Sequence, residues 1–455
     1  MLKNTGNKKF MQFSDLGLNP LICSALEKKG YTKPTPIQAK AIPLVLKGND
    51  VMASAQTGTG KTAGFTLPII QRLLDQPKAQ ANRIKTLILT PTRELAAQIQ
   101  EQIQIYAANT HIRSAVVFGG VSINPQMMKL RKGVEILIAT PGRLLDLYSQ
   151  NALKFDSLNT FVLDEADRML DMGFINDLKR IHKLLPKKLQ TLMFSATFSP
   201  EITSLANEFL DSPQSVSADV VNTTVKKITQ KIYTLDKSTK INALISLIKD
   251  QDLHQVLVFS RTKHGANKIS EKLNNAGITS SAIHGNKSQT ARTKALADFK
   301  SKDINVLVAT DIAARGIDIA QLPCVINLDL PNVAEDYVHR IGRTGRAGQD
   351  GLAISLVSAD EVESLSNIEH LIGHLLPREE LEGFEATHNV PITSMSRKTK
   401  AKKIDEVKII AAKRANKNNK NTNQKKSSNH NKDFAKKIKQ KIHQNKSVRK
   451  PKAQD

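Results

Sequence analysis

The sequence predicts an α/β protein built from two tandem parallel-sheet units and a basic C-terminal tail. Three observations carry that reading. Short apolar, β-branched runs alternate with helical patterns from Asp50 to Phe194 and again from Lys231 to Val357. Near-continuous apolar strands separated by helices read as parallel sheets covered on both faces. Between the two runs, around Ser212 to Val225, the pattern lapses into Ser, Asp, Asn and Thr, which reads as a linker. After Met395 the chain turns Lys/Asn/Gln-rich with little apolar content, too little to offset the entropy of ordering, so a disordered tail is expected. The expected boundaries are 1–212, a linker at 213–225, 226–384, and a tail at 385–455.

The charge is unevenly placed. Of the net +25, the stretch from Ser396 to Asp455 holds 21 Lys and Arg against 4 Asp and Glu, a net +17, which leaves +8 for the rest. Such a block implies a polyanionic partner, and nucleic acid fits better than a membrane surface because no amphipathic apolar face accompanies it. No run is apolar and long enough to span a bilayer, and Met1 to Phe10 is polar and basic, unlike a secretory signal. Two cysteines, Cys23 and Cys324, give neither a disulfide framework nor metal-ligand spacing. A cytoplasmic location is the expectation.

Taken in order, the first unit opens on Phe13, with Ser14 as the expected cap of a helix reaching about Lys29. Gly30 to Gln38 follows, where Pro34 and Pro36 fix an extended turn and Gln38 starts the next helix. Its amide both donates and accepts, which suits the N6/N7 edge of adenine. The strand Asp50 to Ser54 then leads into Ala55-Gln56-Thr57-Gly58-Thr59-Gly60-Lys61-Thr62 and a helix from Ala63 to Leu74. Strand, Gly-rich turn and helix opening on Lys-Thr is the layout of a phosphate-binding loop. Backbone N–H groups cradle the phosphates, Lys61 reaches the β/γ oxygens and the Thr62 hydroxyl can ligate Mg²⁺. The strict pattern asks for Gly where this chain has Ala55. Binding of a nucleoside triphosphate is expected.

Further strands are expected at Thr86–Thr90, Ala115–Phe118, Ile136–Ala139, Thr160–Leu163 and Thr191–Phe194. Ligand groups in such sheets gather at the carboxyl ends of the strands, where this chain places its polar clusters. Asp164-Glu165-Ala166-Asp167 supplies one carboxylate for Mg²⁺ and another to orient or deprotonate water for attack on a γ-phosphate. Pro91 to Ala96 with Arg93, Gly119-Gly120, and Thr140-Pro141-Gly142-Arg143-Leu144 combine hydroxyls, open N–H groups and arginine, a mixture suited to phosphodiester contact without base reading. Ser195-Ala196-Thr197 ends a strand with two small hydroxyls suited to a relay.

In the second unit strands are expected at Lys231–Leu235, Gln255–Phe259, Ser280–Ile283, Asn305–Ala309, Val325–Leu328 and Leu352–Val357, with no phosphate loop among them. The strand-end clusters are Ser260-Arg261-Thr262, His284-Gly285 followed by Gln289 and Arg292, Thr310-Asp311 with Arg315 to Asp318, and His339 to Arg346. In the last, arginines recur every three residues but Gly342 and Gly345 disfavour a simple charged helix face. Planar guanidinium groups suit charge on a transferring phosphoryl group, so a loopless unit that inserts arginine into its neighbour's site would make hydrolysis depend on closure. The segment Glu361 to Phe384 is expected to be helical or loop-like and to close the unit.

Phe13, Gly30–Gln38, Ala55–Thr62, Pro91–Ala96, Thr140–Leu144, Asp164–Asp167 and Ser195–Thr197 together resemble the DEAD-box RNA helicases in order and spacing. In that family the loop commonly begins with Ala, which accommodates Ala55. The resemblance runs from about Phe13 to Phe384. It implies a superfamily 2 helicase core of two RecA-like domains, ATP and Mg²⁺ as cofactors, and RNA, single-stranded and duplex, as substrate. It further implies Arg343 and Arg346 at the γ-phosphate, Gly316 and Asp318 at the nucleotide with Asp318 near the ribose, and His339 coupling the nucleotide and RNA sites. Asp311 joins Ser195 and Thr197 in that coupling, and Arg261, Gln289, Arg292 and Thr310 join the RNA contacts. Ile372 to Glu380 and the basic tail look like the RhlE-type bacterial members. Local strand separation with little sequence preference is implied, as are roles in ribosome assembly or RNA turnover with ribosomal precursors or degradosome-type proteins as partners. The residues alone leave two alternatives open: a DNA-directed motor of related architecture, since RNA choice needs 2′-hydroxyl contacts, and an RNA clamp in which the tail does the binding and ATP times release.

Overall fold

The computed structural model describes residues 11–54, 59–217, 228–314, 319, 322–345, 351–387 and 390–394. The tail expected to be disordered and most of the expected linker lie outside these residues. Both sheets belong to one compact unit, residues 1–393.

The first sheet has seven parallel strands: β1 (Val51–Ser54), β2 (Ile84–Leu89), β3 (Ser114–Val117), β4 (Val134–Ala139), β5 (Thr160–Asp164), β6 (Gln190–Ser195) and β7 (Gln214–Ser217). They lie in the order β3-β4-β2-β5-β6-β1-β7. Side chains alternate between two cores. Ile88, Val162 and Phe194 face one, and Leu87, Phe161, Leu163 and Met193 face the other. Each such side chain, fully removed from water, contributes about 1.5–3 kcal/mol, which is why these strands read as continuous apolar runs. Phe65 from the helix Lys61–Leu74 packs on Phe194 with ring centroids 5.0 Å apart, and so seats the helix that follows the Gly-rich turn.

The second sheet has β8 (Ile228–Thr234), β9 (Val256–Phe259), β10 (Ser280–Ile283), β11 (Val306–Ala309), β12 (Cys324–Asn327), β13 (Gly351–Val357) and β14 (Arg378–Glu379) in the order β10-β11-β9-β12-β13-β8-β14. Counted from its own first strand, this is the strand order of the first sheet. The repeat extends to detail. The helix after β1 begins at Lys61 and the helix after β8 begins at Lys240, and both lysines are buried. Lys240 Nζ, however, donates to the carbonyls of Leu328 (2.9 Å) and Leu356 (2.7 Å) and pairs with the buried Glu361. Glu361 in turn accepts from Arg261 Nη2 (2.9 Å) and Leu330 N (3.0 Å).

Four expectations need correction. The helix capped by Ser14 is instead a single 3-10 turn, Ser14–Leu16, ended by Gly17 at φ 76°, and a separate helix, Pro20–Lys28, is capped by Asn19 accepting from Leu21 N. The linker does not begin at 213, because Gln214–Ser217 pairs with β1 as an edge strand, anchored by Gln214 N donating to Asp50 O at 2.8 Å. Glu361 to Phe384 is not only helix and loop, since Arg378–Glu379 adds an edge strand to β8. The chain past 384 does not leave the sheet at once. Arg378 donates to the carbonyl of Pro391 and to Thr393 Oγ1, and Val390 is buried against Leu376.

Glu361→Ala should strip the anion from a buried lysine and destabilise the second sheet by about 3–5 kcal/mol. Urea unfolding followed by a probe in that half checks it; a midpoint unchanged from the parent would contradict the role given to the pair.

Candidate nucleotide and RNA site

The helix Lys61–Leu74 starts directly after Gly60, which sits at φ 89°. A Cβ there would meet the Gln38 amide nitrogen at 2.3 Å, so only glycine lets the turn close on its neighbour. Gln38, third residue of the helix Pro36–Leu46, accepts from Thr35 N at 2.9 Å and donates to Gly60 O at 3.0 Å. Its amide therefore braces the turn, with one N–H and one lone pair left over for a base edge. Phe13 is buried at 6% exposure, packed into the core beneath this corner. Ala55, Gln56, Thr57 and Gly58 lie outside the described residues; Thr59, Gly60 and Thr62 are in place at the helix start.

Lys61 is 6% exposed, its Nζ has no hydrogen-bond partner among the described residues, and the nearest carboxylate is Asp164 Oδ1 at 4.0 Å. A buried ammonium without hydrogen-bond acceptors is costly, and a triphosphate oxygen fits that need. Asp164, at the end of β5, is 2% exposed, and burial pushes its carboxyl up to about 6 against the pull of Lys61. Glu165 follows at φ 55°, ψ 54°, a left-handed conformation that costs a non-glycine residue of order 1–3 kcal/mol. Asp167 Oδ2 accepts from Ala196 N, Thr197 N and Thr197 Oγ1 at 3.1, 3.1 and 3.2 Å, and Ser195 Oγ donates to Thr197 O at 2.7 Å. The carboxylate turn and the Ser195–Thr197 turn are thus one rigid piece.

The second sheet meets this piece through the helix Ala334–Ile341. Arg168, one residue past Asp167, donates to Asp336 Oδ1 at 2.9 Å, and both side chains are nearly buried. His339 lies one turn on, its Nδ1 3.8 Å from Asp336, and burial holds its imidazole below the usual value. Arg343 is 5% exposed and lines the same cleft as Arg168, Asp336 and His339. Asp311 grips Arg340 at 2.6 and 2.7 Å, and the guanidinium lies 4.8 Å over the Phe259 ring. Asp311 therefore positions the arginine helix from within the second half. Arg346, Gly316 and Asp318 lie outside the described residues.

The phosphodiester candidates lie on a second rim. The Arg93 guanidinium rests on Gly120, where a Cβ would come within 2.1 Å of Nη1; Gly119 precedes it. Arg143 donates from Nη2 to Val121 O at 2.9 Å, while its Nε and Nη1, though buried, have no hydrogen-bond partner among the described residues and only a distant Asp146 at 3.7 Å. Thr140 caps that helix by position, followed by Pro141 and Gly142, but its hydroxyl makes no capping bond. Across the cleft Gln289 Nε2 donates to Glu94 Oε1 at 3.1 Å and Arg292 Nη2 pairs with Glu94 Oε2 at 2.8 Å. Gln289 and Arg292 thus bind protein here. Arg261 is engaged with Glu361 and Asp329, and Thr310 is buried before the short helix Asp311–Ala314.

Arg168 and Asp336 were not singled out from sequence, and Glu94 and Arg340, though inside the polar clusters, were given no role of their own. Arg168 follows the acidic tetrad directly, and Asp336 and His339 share an i, i+3 face, the one pattern that could have exposed them. Among the described residues no group of three His, Cys, Asp or Glu side chains is arranged to hold a metal, and no helix is long and apolar enough to cross a membrane.

Comparison with known proteins matches residues 35–205 to the DEAD/DEAH box helicase family and residues 239–348 to the helicase conserved C-terminal domain. The chain is 42% identical over 362 residues to the ATP-dependent RNA helicase CshA of Limosilactobacillus reuteri, covering 79% of this chain and 72% of that protein. It is 41% identical to SrmB of Haemophilus influenzae, an ATP-dependent RNA helicase, over 86% of this chain and 90% of that protein. Among solved structures it is similar to S. cerevisiae Dbp5 bound to RNA and ADP BeF3, at TM-score 0.73 and 31% identity, over 81% of this chain and 95% of the other. With two sheets of one strand order, a buried lysine at the helix start and these matches over most of its length, the chain belongs to the DEAD-box proteins and is an ATP-dependent RNA helicase.

Proposed function

We propose that ATP hydrolysis in the cleft between the two sheets depends on RNA drawing them together, and that closure locally opens short RNA duplexes or remodels RNA–protein complexes. The observation that carries this is that His339 and Arg343, from the second sheet, share one cleft with Arg168, next to Asp164 and Glu165 of the first. ATP and RNA would each favour the closed arrangement, and by linkage each would raise the other's affinity. Lys61 holds the β/γ oxygens, Glu165 orients the attacking water as general base, and Arg343, with Arg346, meets charge on the phosphoryl group. Asp164 and Thr62 are the residues that would hold Mg²⁺, since that ion takes one or two carboxylates plus substrate phosphates. When bound it neutralises charge on the phosphate oxygens.

RNA is held by Arg93, Arg143, Thr140 and the Gly119–Gly120 backbone, contacts to phosphate that carry little sequence preference. The N-terminal sheet serves as the ATP-binding domain and the C-terminal sheet as its closing partner, with the +17 tail adding RNA affinity. Ile372–Glu380 and the tail support a bacterial, RhlE-like member acting in the cytoplasm on ribosomal precursors or in RNA turnover, with degradosome-type proteins as candidate partners.

Steady-state hydrolysis by residues 1–394 with RNA and with DNA of matched sequence tests the reading. Stimulation by RNA alone is expected, and equal stimulation by DNA would overturn the coupling to RNA. Lys61→Ala should weaken nucleotide binding on the order of 10–100-fold, the value of hydrogen bonds to charged groups. Glu165→Gln should leave binding intact and slow turnover about 10²–10⁴-fold; wild-type turnover would remove Glu165 from water activation. Deleting 395–455 should flatten the dependence of RNA affinity on salt, and an unchanged slope would mean that the tail does not touch phosphate.

A further inference from the structure

We propose that the Arg168–Asp336 ion pair is the latch that registers the arginine helix on the catalytic carboxylates, making these two positioning residues of the helicase. The inference deepens the closure reading and rests on it. Arg168 sits at the start of the helix Ala166–Asp171, immediately after Asp167, whose carboxylate is fixed by Ala196 N, Thr197 N and Thr197 Oγ1. Its backbone therefore cannot move without the carboxylate turn. Asp336 lies in the first turn of Ala334–Ile341, the helix that carries His339 and Arg340 and leads into Arg343. Joining the two at 2.9 Å sets where that helix stands relative to Asp164 and Glu165.

The energetics make the contact state-dependent. At 5% and 11% side-chain exposure each charge is nearly out of water, and each offsets part of the other's desolvation. When the halves part, both side chains reach solvent and the pair contributes nothing. Removing one partner therefore takes an ion-pair partner from a nearly buried charge in the closed form only. The pair touches neither the phosphate lysine nor the phosphodiester rim, so it should act on closure and on turnover without altering RNA binding in the absence of nucleotide. The other cross-cleft pairing, Glu94 with Arg292 and Gln289, lies on the RNA rim and cannot fix the arginine helix in this way.

The test is a double-mutant cycle in the full chain: wild type, Arg168→Ala, Asp336→Ala and the double variant. The readout is affinity for a fluorescent single-stranded RNA, with and without a non-hydrolysable ATP analogue. We expect each single variant to weaken analogue-dependent RNA binding about 10–100-fold, the value of a hydrogen bond between charged groups, and RNA-stimulated kcat with it. Nucleotide-free RNA affinity should be unchanged, and the double variant should be no worse than the worse single. Arg168→Lys, which keeps the charge, should recover part of the loss. Additive losses, no loss, or an equal loss without nucleotide would each overturn the latch. A wild type whose RNA affinity ignores the analogue would overturn closure itself, and the latch with it.

Discussion

A charge removed from water must be met by another charge or by hydrogen bonds, and the cleft of this helicase is organised by that requirement. Lys61, Asp164, Glu165, Arg168, Arg292 and Arg343 are all nearly buried where the carboxyl ends of the strands gather. Two of these charges find their partners across the cleft. Arg168 finds Asp336 on the other sheet, and Arg292 finds Glu94. Ion pairs between buried charges thus join the two halves. Such a joint is specific in geometry, since each charge is met at a defined distance.

Rigidity around the carboxylates follows from local hydrogen bonding. Asp167 gathers two backbone N–H groups and a hydroxyl from the end of β6, which ties the ends of β5 and β6 together. That bracing is what can sustain Glu165 in a left-handed conformation; alone, the strained residue would relax to another region. Strain sits on the residue assigned to the water, and neighbouring residues absorb its cost.

Much of this was legible in the sequence, for physical reasons. Strands buried on both faces must be apolar throughout, so runs such as Phe161-Val162-Leu163 declared themselves. The Gly-rich turn before Lys61 and the acidic tetrad mark strand ends because chemistry at phosphate demands those groups. What stayed hidden was pairing. Nothing in the sequence around Arg168 points to Asp336, since an ion pair between residues this far apart leaves no periodicity. The same holds for Glu94 with Arg292. The edge strands Gln214–Ser217 and Arg378–Glu379 were missed because a strand half exposed to water and only a few residues long need not be apolar. Gln38 was read for its amide, correctly as a two-sided group, but its first partners are Thr35 and Gly60.

The two sheets share one strand order, yet they differ at the lysine that opens the helix after their first strand. Lys61 keeps its ammonium without a hydrogen-bond partner among the described residues, whereas Lys240 is closed off by Glu361 and two carbonyls. Glu361 belongs to the same folded chain, so it competes with any dissolved anion at an effective concentration no metabolite approaches. The second sheet carries, in effect, its own permanently bound anion. A duplicated scaffold is thereby made asymmetric by a single side chain: the lysine of one copy stays receptive, and that of the other is silenced from within.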